Sequence, residues 1–115
     1  MKSIVIAISA ALVFAQGAIA ADKIVTCEIT SNNERVYKGK CVFIPDQGGS
    51  FALSGMQGKP LYDSITIVSV TLLEKGIADV RGLTTDGVNS RWGDAKRSTK
   101  DKSCWVGSDF KICAK

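Results

Sequence analysis

Four cysteines, Cys27, Cys41, Cys104 and Cys113, constrain this chain more than any other feature of its sequence. They fall into two groups, with 13 residues between the first two and 8 between the last two. No Cys-x-x-Cys occurs and neither spacing suits a metal site, so the thiols read as two disulfides. A small chain buries too little apolar surface for its core alone to hold it, and cross-links supply the rest. Four cysteines allow three pairings. The stretch Cys104-Trp105-Val106-Gly107-Ser108-Asp109-Phe110-Lys111-Ile112-Cys113 reads as a hairpin with its tip at Ser108-Asp109. Cys104 then faces Cys113, and opposed residues bring their Cβ atoms within disulfide reach. Cys27 with Cys41 follows by elimination, with a less clean register. An Asn32-Asn33 tip puts Cys27 opposite Lys38, and Gly39 marks where a bulge would absorb part of the offset.

Disulfides need an oxidising compartment, and the N-terminus reads as the route to one. Met1-Lys2-Ser3 is a short positive start, and Ile4 to Ala15 is an apolar run. Gln16-Gly17 breaks it, and Ala18-Ile19-Ala20 places small residues before a cut at Ala21. On this reading residues 1–20 are a signal peptide, and residues 21–115 are a single disulfide-stabilised domain that is periplasmic or secreted. The apolar run stops short of the ~20 residues that a spanning helix needs, and nothing after it in the sequence would span a bilayer as a helix.

The rest of the chain patterns as β-structure. Ile24 to Ile29 and Arg35 to Ile44 flank the turn-forming Ser31-Asn32-Asn33-Glu34. Pro45-Asp46-Gln47-Gly48-Gly49 ends the second run, and Ser50 to Leu53 is a short strand. Ser54 to Pro60 is a loop. Ser64 to Leu73, apolar at almost every position, is expected to be a central strand covered on both faces. Glu74-Lys75-Gly76 and Asp86-Gly87 are turn signals on either side of its partner, Ile77 to Leu83. Val88 to Lys102 is poor in apolar residues and reads as an ordered loop or a weak edge strand. The expected fold is all-β, a small antiparallel barrel or sandwich of about six to eight strands.

The sequence has no histidine. Ser-His-Asp and Cys-His catalysis and His-ligated zinc are therefore excluded, and no cofactor motif is present, so a non-enzymatic protein is expected. With Lys2 removed, 14 Lys and Arg stand against 11 Asp and Glu. The excess is local: residues 21–90 carry a net charge of −1 and residues 91–115 a net charge of +4. Arg91, Lys96, Arg97, Lys100 and Lys102, with Trp92 among them, form a basic segment that would attract an anionic glycan or lipopolysaccharide, the aromatic ring stacking on a sugar. Trp105 and Phe110 lie in the terminal hairpin, where Trp105, next to a cysteine, reads as core packing against sulfur, the alternative being an exposed aromatic anchor for a partner.

Two resemblances bear on this. Ser90-Arg91-Trp92-Gly93, the Cys104-to-Ala114 stretch, and Val36-Tyr37-Lys38-Gly39-Lys40-Cys41 with Gly48-Gly49-Ser50-Phe51 resemble small exported proteins of alphaproteobacteria, a group of unassigned function. Ser54-Gly55 followed by Tyr62 is loosely similar to the Ser-Gly and Tyr motif of periplasmic lysozyme inhibitors, which are small disulfide-containing β-barrels. That similarity implies a protein partner in the envelope and gives Ser54 and Tyr62 as contact residues. The leading expectation is thus a binding protein such as an inhibitor, immunity factor or assembly factor, and the alternative is a binder of anionic glycan or lipopolysaccharide.

Overall fold

Alternation decides the architecture. In the computed structural model, which describes residues 21–115, strand β1 (Lys23–Ser31) turns Val25, Cys27 and Ile29 inward and Thr26 and Glu28 outward. The signal-peptide reading of Met1 to Ala20 lies outside the described residues. The Asn32-Asn33 turn, with φ of 52° and 66°, returns the chain into β2 (Glu34–Pro45). Asparagine tolerates this left-handed backbone, which matches the strand twist. Strands β3 (Phe51–Ser54), β4 (Ile65–Glu74), β5 (Ile77–Thr84), β6 (Asn89–Arg97), β7 (Cys104–Val106) and β8 (Phe110–Ala114) follow, each antiparallel to the one before. β8 pairs with β1, so the eight strands close in sequence order into an up-and-down barrel. Closure removes the exposed sheet edges that a sandwich would keep. The seam is thinnest between β6 and β7, where only Lys96 with Val106 and Arg97 with Trp105 are in register.

Both local disulfides form, Cys27–Cys41 and Cys104–Cys113. The second joins residues directly opposite each other, as the hairpin register requires. The first joins diagonal neighbours, because Cys27 lies opposite Gly39 and Cys41 opposite Val25. The register is corrected by a bulge, but not at Gly39: Ile29 faces Tyr37 while Thr30 faces Arg35, so Val36 is the extra residue. Gly39 has a different task. A Cβ there would lie 2.9 Å from the Tyr37 hydroxyl, so the glycine makes room for that ring.

Two further expectations are corrected. β4 is covered on one face only: Val68 and Val70 are buried inside the barrel, while Leu73 is 58% exposed. Its β-branched run reflects strand preference more than burial on both sides. Within Val88 to Lys102, residues Asn89–Arg97 form the nine-residue strand β6, and it is not an edge, because it pairs with β5 on one side and β7 on the other. This strand is poor in apolar residues because its inward positions are small: Gly93 faces Val80 and Ala95 faces Ala78.

The middle of the barrel is aliphatic, with Ile29, Leu53, Val68, Val70, Val80 and Ile112 fully buried around Cys27–Cys41. Aromatic rings gather toward the ends. Phe43 stacks on Phe51 at 4.8 Å near one, and Trp92 meets Phe110 edge-on at 5.7 Å near the other. Outward positions carry Glu28, Lys38, Asp79, Arg81 and Arg91. A barrel with a packed apolar interior and a charged exterior is the inverse of a membrane-spanning one. Among the described residues no helix is long and apolar enough to cross a membrane. Together with the disulfides, these features are consistent with an exported protein.

Candidate functional site

The two ends of the barrel differ in how they are closed. The upper end carries the Asn32-Asn33 turn, the 55–64 connection, the 85–88 turn and the Ser108-Asp109 tip. The 55–64 connection folds inward. A Cβ on Gly55 would lie 2.0 Å from the Lys59 carbonyl oxygen, so only glycine permits this doubling back. Leu61, 3% exposed, then packs into the core, and the half-buried Tyr62 stacks on Tyr37 at 6.4 Å. Burial, with the Asp63 charge beside it, raises the Tyr62 phenol above its ordinary value. The Tyr62 carbonyl accepts from the Ile65 amide at 2.8 Å, and the Leu61 amide donates to the Ile65 carbonyl at 2.7 Å. Ser54 ends β3 with its hydroxyl on the adjacent Gly55 carbonyl. Tyr62 is therefore part of the inward-folded cap, and Ser54 stands half-buried at the end of β3 where that connection begins.

The lower end is open. An open cavity of about 470 Å³ is lined by Phe43, Phe51 and Trp105, by Val25 and Ala114, and by the basic side chains of Lys23, Arg97, Lys102 and Lys115. Each basic residue arrives by its own route. Lys23 begins β1, Arg97 ends β6, Lys102 stands in the β6–β7 loop, and Lys115 follows β8. The closing of β8 on β1 puts the first and last of these at one rim. The Lys23 ammonium lies 5.9 Å from the centre of the Phe43 ring, and the Arg97 guanidinium 5.2 Å from that of Trp105. Such contacts hold a cation at the border between an apolar floor and water.

The rim is fixed by a small polar network. The Lys115 ammonium donates to Asp101 at 2.8 Å, and the Ser103 hydroxyl and amide donate to the same carboxylate at 2.6 and 3.0 Å. These bonds, that from Lys115 first, hold the Asp101 carboxyl well below the usual carboxylate range and raise Lys115. Arg97 donates through Nε to the Lys102 carbonyl at 2.7 Å, which ties the loop to the end of β6. Among the described residues no carboxylate lies within 4.0 Å of the charged groups of Lys23, Arg97 or Lys102.

The basic segment read from the sequence is thus divided. Arg97 and Lys102 reach the lower mouth, and the exposed Lys100 lies in the loop beside them. Lys96 points outward opposite Val106. Arg91 is on the outer wall, bonded to Asp79 at 2.6 Å and to Asp94 at 2.5 Å. Trp92 is turned inward near the upper end, its ring filling the space over Gly82, where a Cβ would lie 2.7 Å from the indole nitrogen. It borders a smaller cleft of about 280 Å³ with Arg91, Tyr62, Asp109 and Phe110, so three of the candidate residues, Arg91, Trp92 and Tyr62, do meet at the upper end. Sequence reasoning missed Lys23, Lys115, Phe43 and Phe51. Only barrel closure brings them to Arg97 and Lys102, and no local motif announces it. Among the described residues no three of His, Cys, Asp and Glu gather closely enough to hold a metal ion. No protein-family model matches the chain, and no curated protein and no solved structure matches it either.

Proposed function

We propose that this is an exported, non-enzymatic binding protein whose anionic ligand enters the lower mouth of the barrel. The observation that carries this reading is the asymmetry of the two ends. Leu61 and Tyr62 cap the upper one down to the smaller cleft beside Trp92, while Lys23, Arg97, Lys102 and Lys115 surround a larger opening with aromatic residues beneath them. Four cations on one rim attract an anion, and among the described residues three of them have no carboxylate within 4.0 Å to displace first. Anionic glycan and lipopolysaccharide both meet this demand. Binding is favoured over catalysis because Asp101, the carboxylate at the rim, is occupied by Lys115 and Ser103 and is not poised to move a proton.

The test is calorimetric titration with lipopolysaccharide and with an acidic polysaccharide at low and high salt. Binding should weaken steeply with salt, since screened charges attract less. It should be lost in a Lys23→Ala/Arg97→Ala/Lys102→Ala variant and kept in an Arg91→Ala/Lys96→Ala variant. Salt-independent binding, or equal loss in both variants, overturns the proposal.

A further inference from the structure

We infer that the ligand of the lower mouth is an amphiphile, a single alkyl chain ending in a phosphate or carboxylate. This inference rests on the reading above and narrows the ligand. A free phosphate or a hydrophilic glycan would use only the charged rim. The surface beneath the rim is apolar: Phe43 and Phe51 stack at 4.8 Å, with Val25 and Ala114 beside them and Trp105 across the opening. Its volume of about 470 Å³ is of the size that small-molecule sites require, ~300–1,000 Å³. Apolar surface at the bottom of an opening gains free energy only when an apolar group displaces its water.

The cations are placed where an amphiphile changes character. Lys23 stands over Phe43 and Arg97 over Trp105, each with its charge at the boundary between ring and solvent. Their long stems let a chain pass beneath while the charged ends stay near its headgroup. Lys115 is engaged by Asp101, so Lys23, Arg97 and Lys102 are the groups left to receive the anion. On the side between β2 and β3 the rim carries Gly49, which has no side chain to cover the opening.

Straight-chain alkyl phosphates and carboxylates of increasing length, kept below micelle formation, test this by calorimetry, with alkyl alcohols of equal length and inorganic phosphate as controls. Each added methylene should tighten binding about fourfold, until the chain outgrows the cavity, which is ~0.8 kcal/mol converted to an affinity ratio. Phe43→Ala should flatten that dependence, and Arg97→Gln should weaken every anion by a similar factor. Comparison of the two anion series assigns the headgroup as phosphate or carboxylate. The wild-type series decides the matter even where Phe43→Ala fails to fold. Lipopolysaccharide or polysaccharide binding without any dependence on alkyl length overturns this inference and leaves the anionic reading standing. Alcohols binding as tightly as the anions overturn both, as does the failure of every probe to bind.

Discussion

Arg97 lies directly opposite Trp105 across the β6–β7 ladder, and its guanidinium carbon is 5.2 Å from the centre of the indole. The same side chain donates to the Lys102 carbonyl at 2.7 Å. One residue therefore closes the barrel's thinnest seam, anchors the loop beyond it and supplies a charge to the mouth. Arg97→Ala is expected to cost about 1–2 kcal/mol, from one cation–π contact and one hydrogen bond. Arg97→Lys should recover the charge at the mouth but only part of the stability, because an ammonium cannot reproduce the planar fork. Urea denaturation followed by far-ultraviolet circular dichroism measures both. Equal stability of Arg97→Ala and wild type would show that the seam does not depend on this pair.

The two disulfides should be unequal. In the chain-entropy argument their loops, with separations of 14 and 9 residues, stabilise by about 3 and about 2.7 kcal/mol. Cys27 and Cys41 lie fully buried within the central apolar cluster, whereas Cys104 and Cys113, also buried, lie outside that cluster on the outer side of the hairpin, with Cys113 bordering a surface cleft. Cys27→Ala/Cys41→Ala opens a cavity in the middle of the barrel as well as removing a cross-link, so it should lower the unfolding midpoint more than Cys104→Ala/Cys113→Ala. Under mild reduction the outward bridge should open first, read by alkylation and peptide mass spectrometry.

Those bridges also mark how far sequence reasoning reaches. Cys104–Cys113 was legible because a two-residue tip at Ser108-Asp109 leaves one register, and opposed cysteines identify themselves. Cys27–Cys41 was legible as a pair, but its register was not. A bulge at Val36 carries no compositional mark, while Gly39 suggested one and instead receives the Tyr37 ring. Strand β6 was hard to see because Gly93 and Ala95 leave the filling of the interior to larger residues elsewhere. The ring of Phe110 is the nearest group to the space a Gly93 Cβ would occupy, at 3.9 Å. The lower mouth was the least legible. Its basic groups come from Lys23 and Lys115 at opposite ends of the domain as well as from the basic segment, and only the β8–β1 pairing joins them.

Gly82 should tolerate no side chain. A Cβ there would lie within 2.7 to 2.9 Å of three atoms of the Trp92 indole, which is itself held edge-on to Phe110. Gly82→Ala forces the ring to move inside a packed barrel and should destabilise by about 1–3 kcal/mol. Trp92 is the extra residue of the β5–β6 bulge, since Val80 faces Gly93 and Arg81 faces Arg91. The displaced ring should therefore reach water, and its emission should shift to the red. A Gly82→Ala protein with wild-type stability and fluorescence would mean that the ring has room to spare.

The clasp between Asp101 and Lys115 should give the protein a stability plateau bounded at both ends of the pH scale. Hydrogen bonds from Lys115 and Ser103 lower the Asp101 carboxyl from its ordinary 3.8, so the folded state favours the ionised form. The stability this adds is complete above the unfolded value and is lost as pH falls through the lowered folded value. Lys115 is raised from 10.5 by the same carboxylate, so its contribution is complete below that value and is lost as pH rises past the raised one. Asp101→Asn removes the charge and should make the C-terminal strand fray, because the Ala114 amide bonds to the Ser103 carbonyl at 3.0 Å within the same network. The gap in thermal midpoint between wild type and Asp101→Asn should stay constant across neutral pH. It should narrow below about pH 4, where the carboxyl of the unfolded chain begins to take up its proton while that of the folded protein stays ionised. Protection of the Ala114 amide against exchange, relative to the unfolded chain and followed by NMR, should fall in the variant at pH 7 and in the wild type only in acid. A gap in midpoint that persists unchanged to the acid end would show that the ionised carboxylate is not what holds the strand.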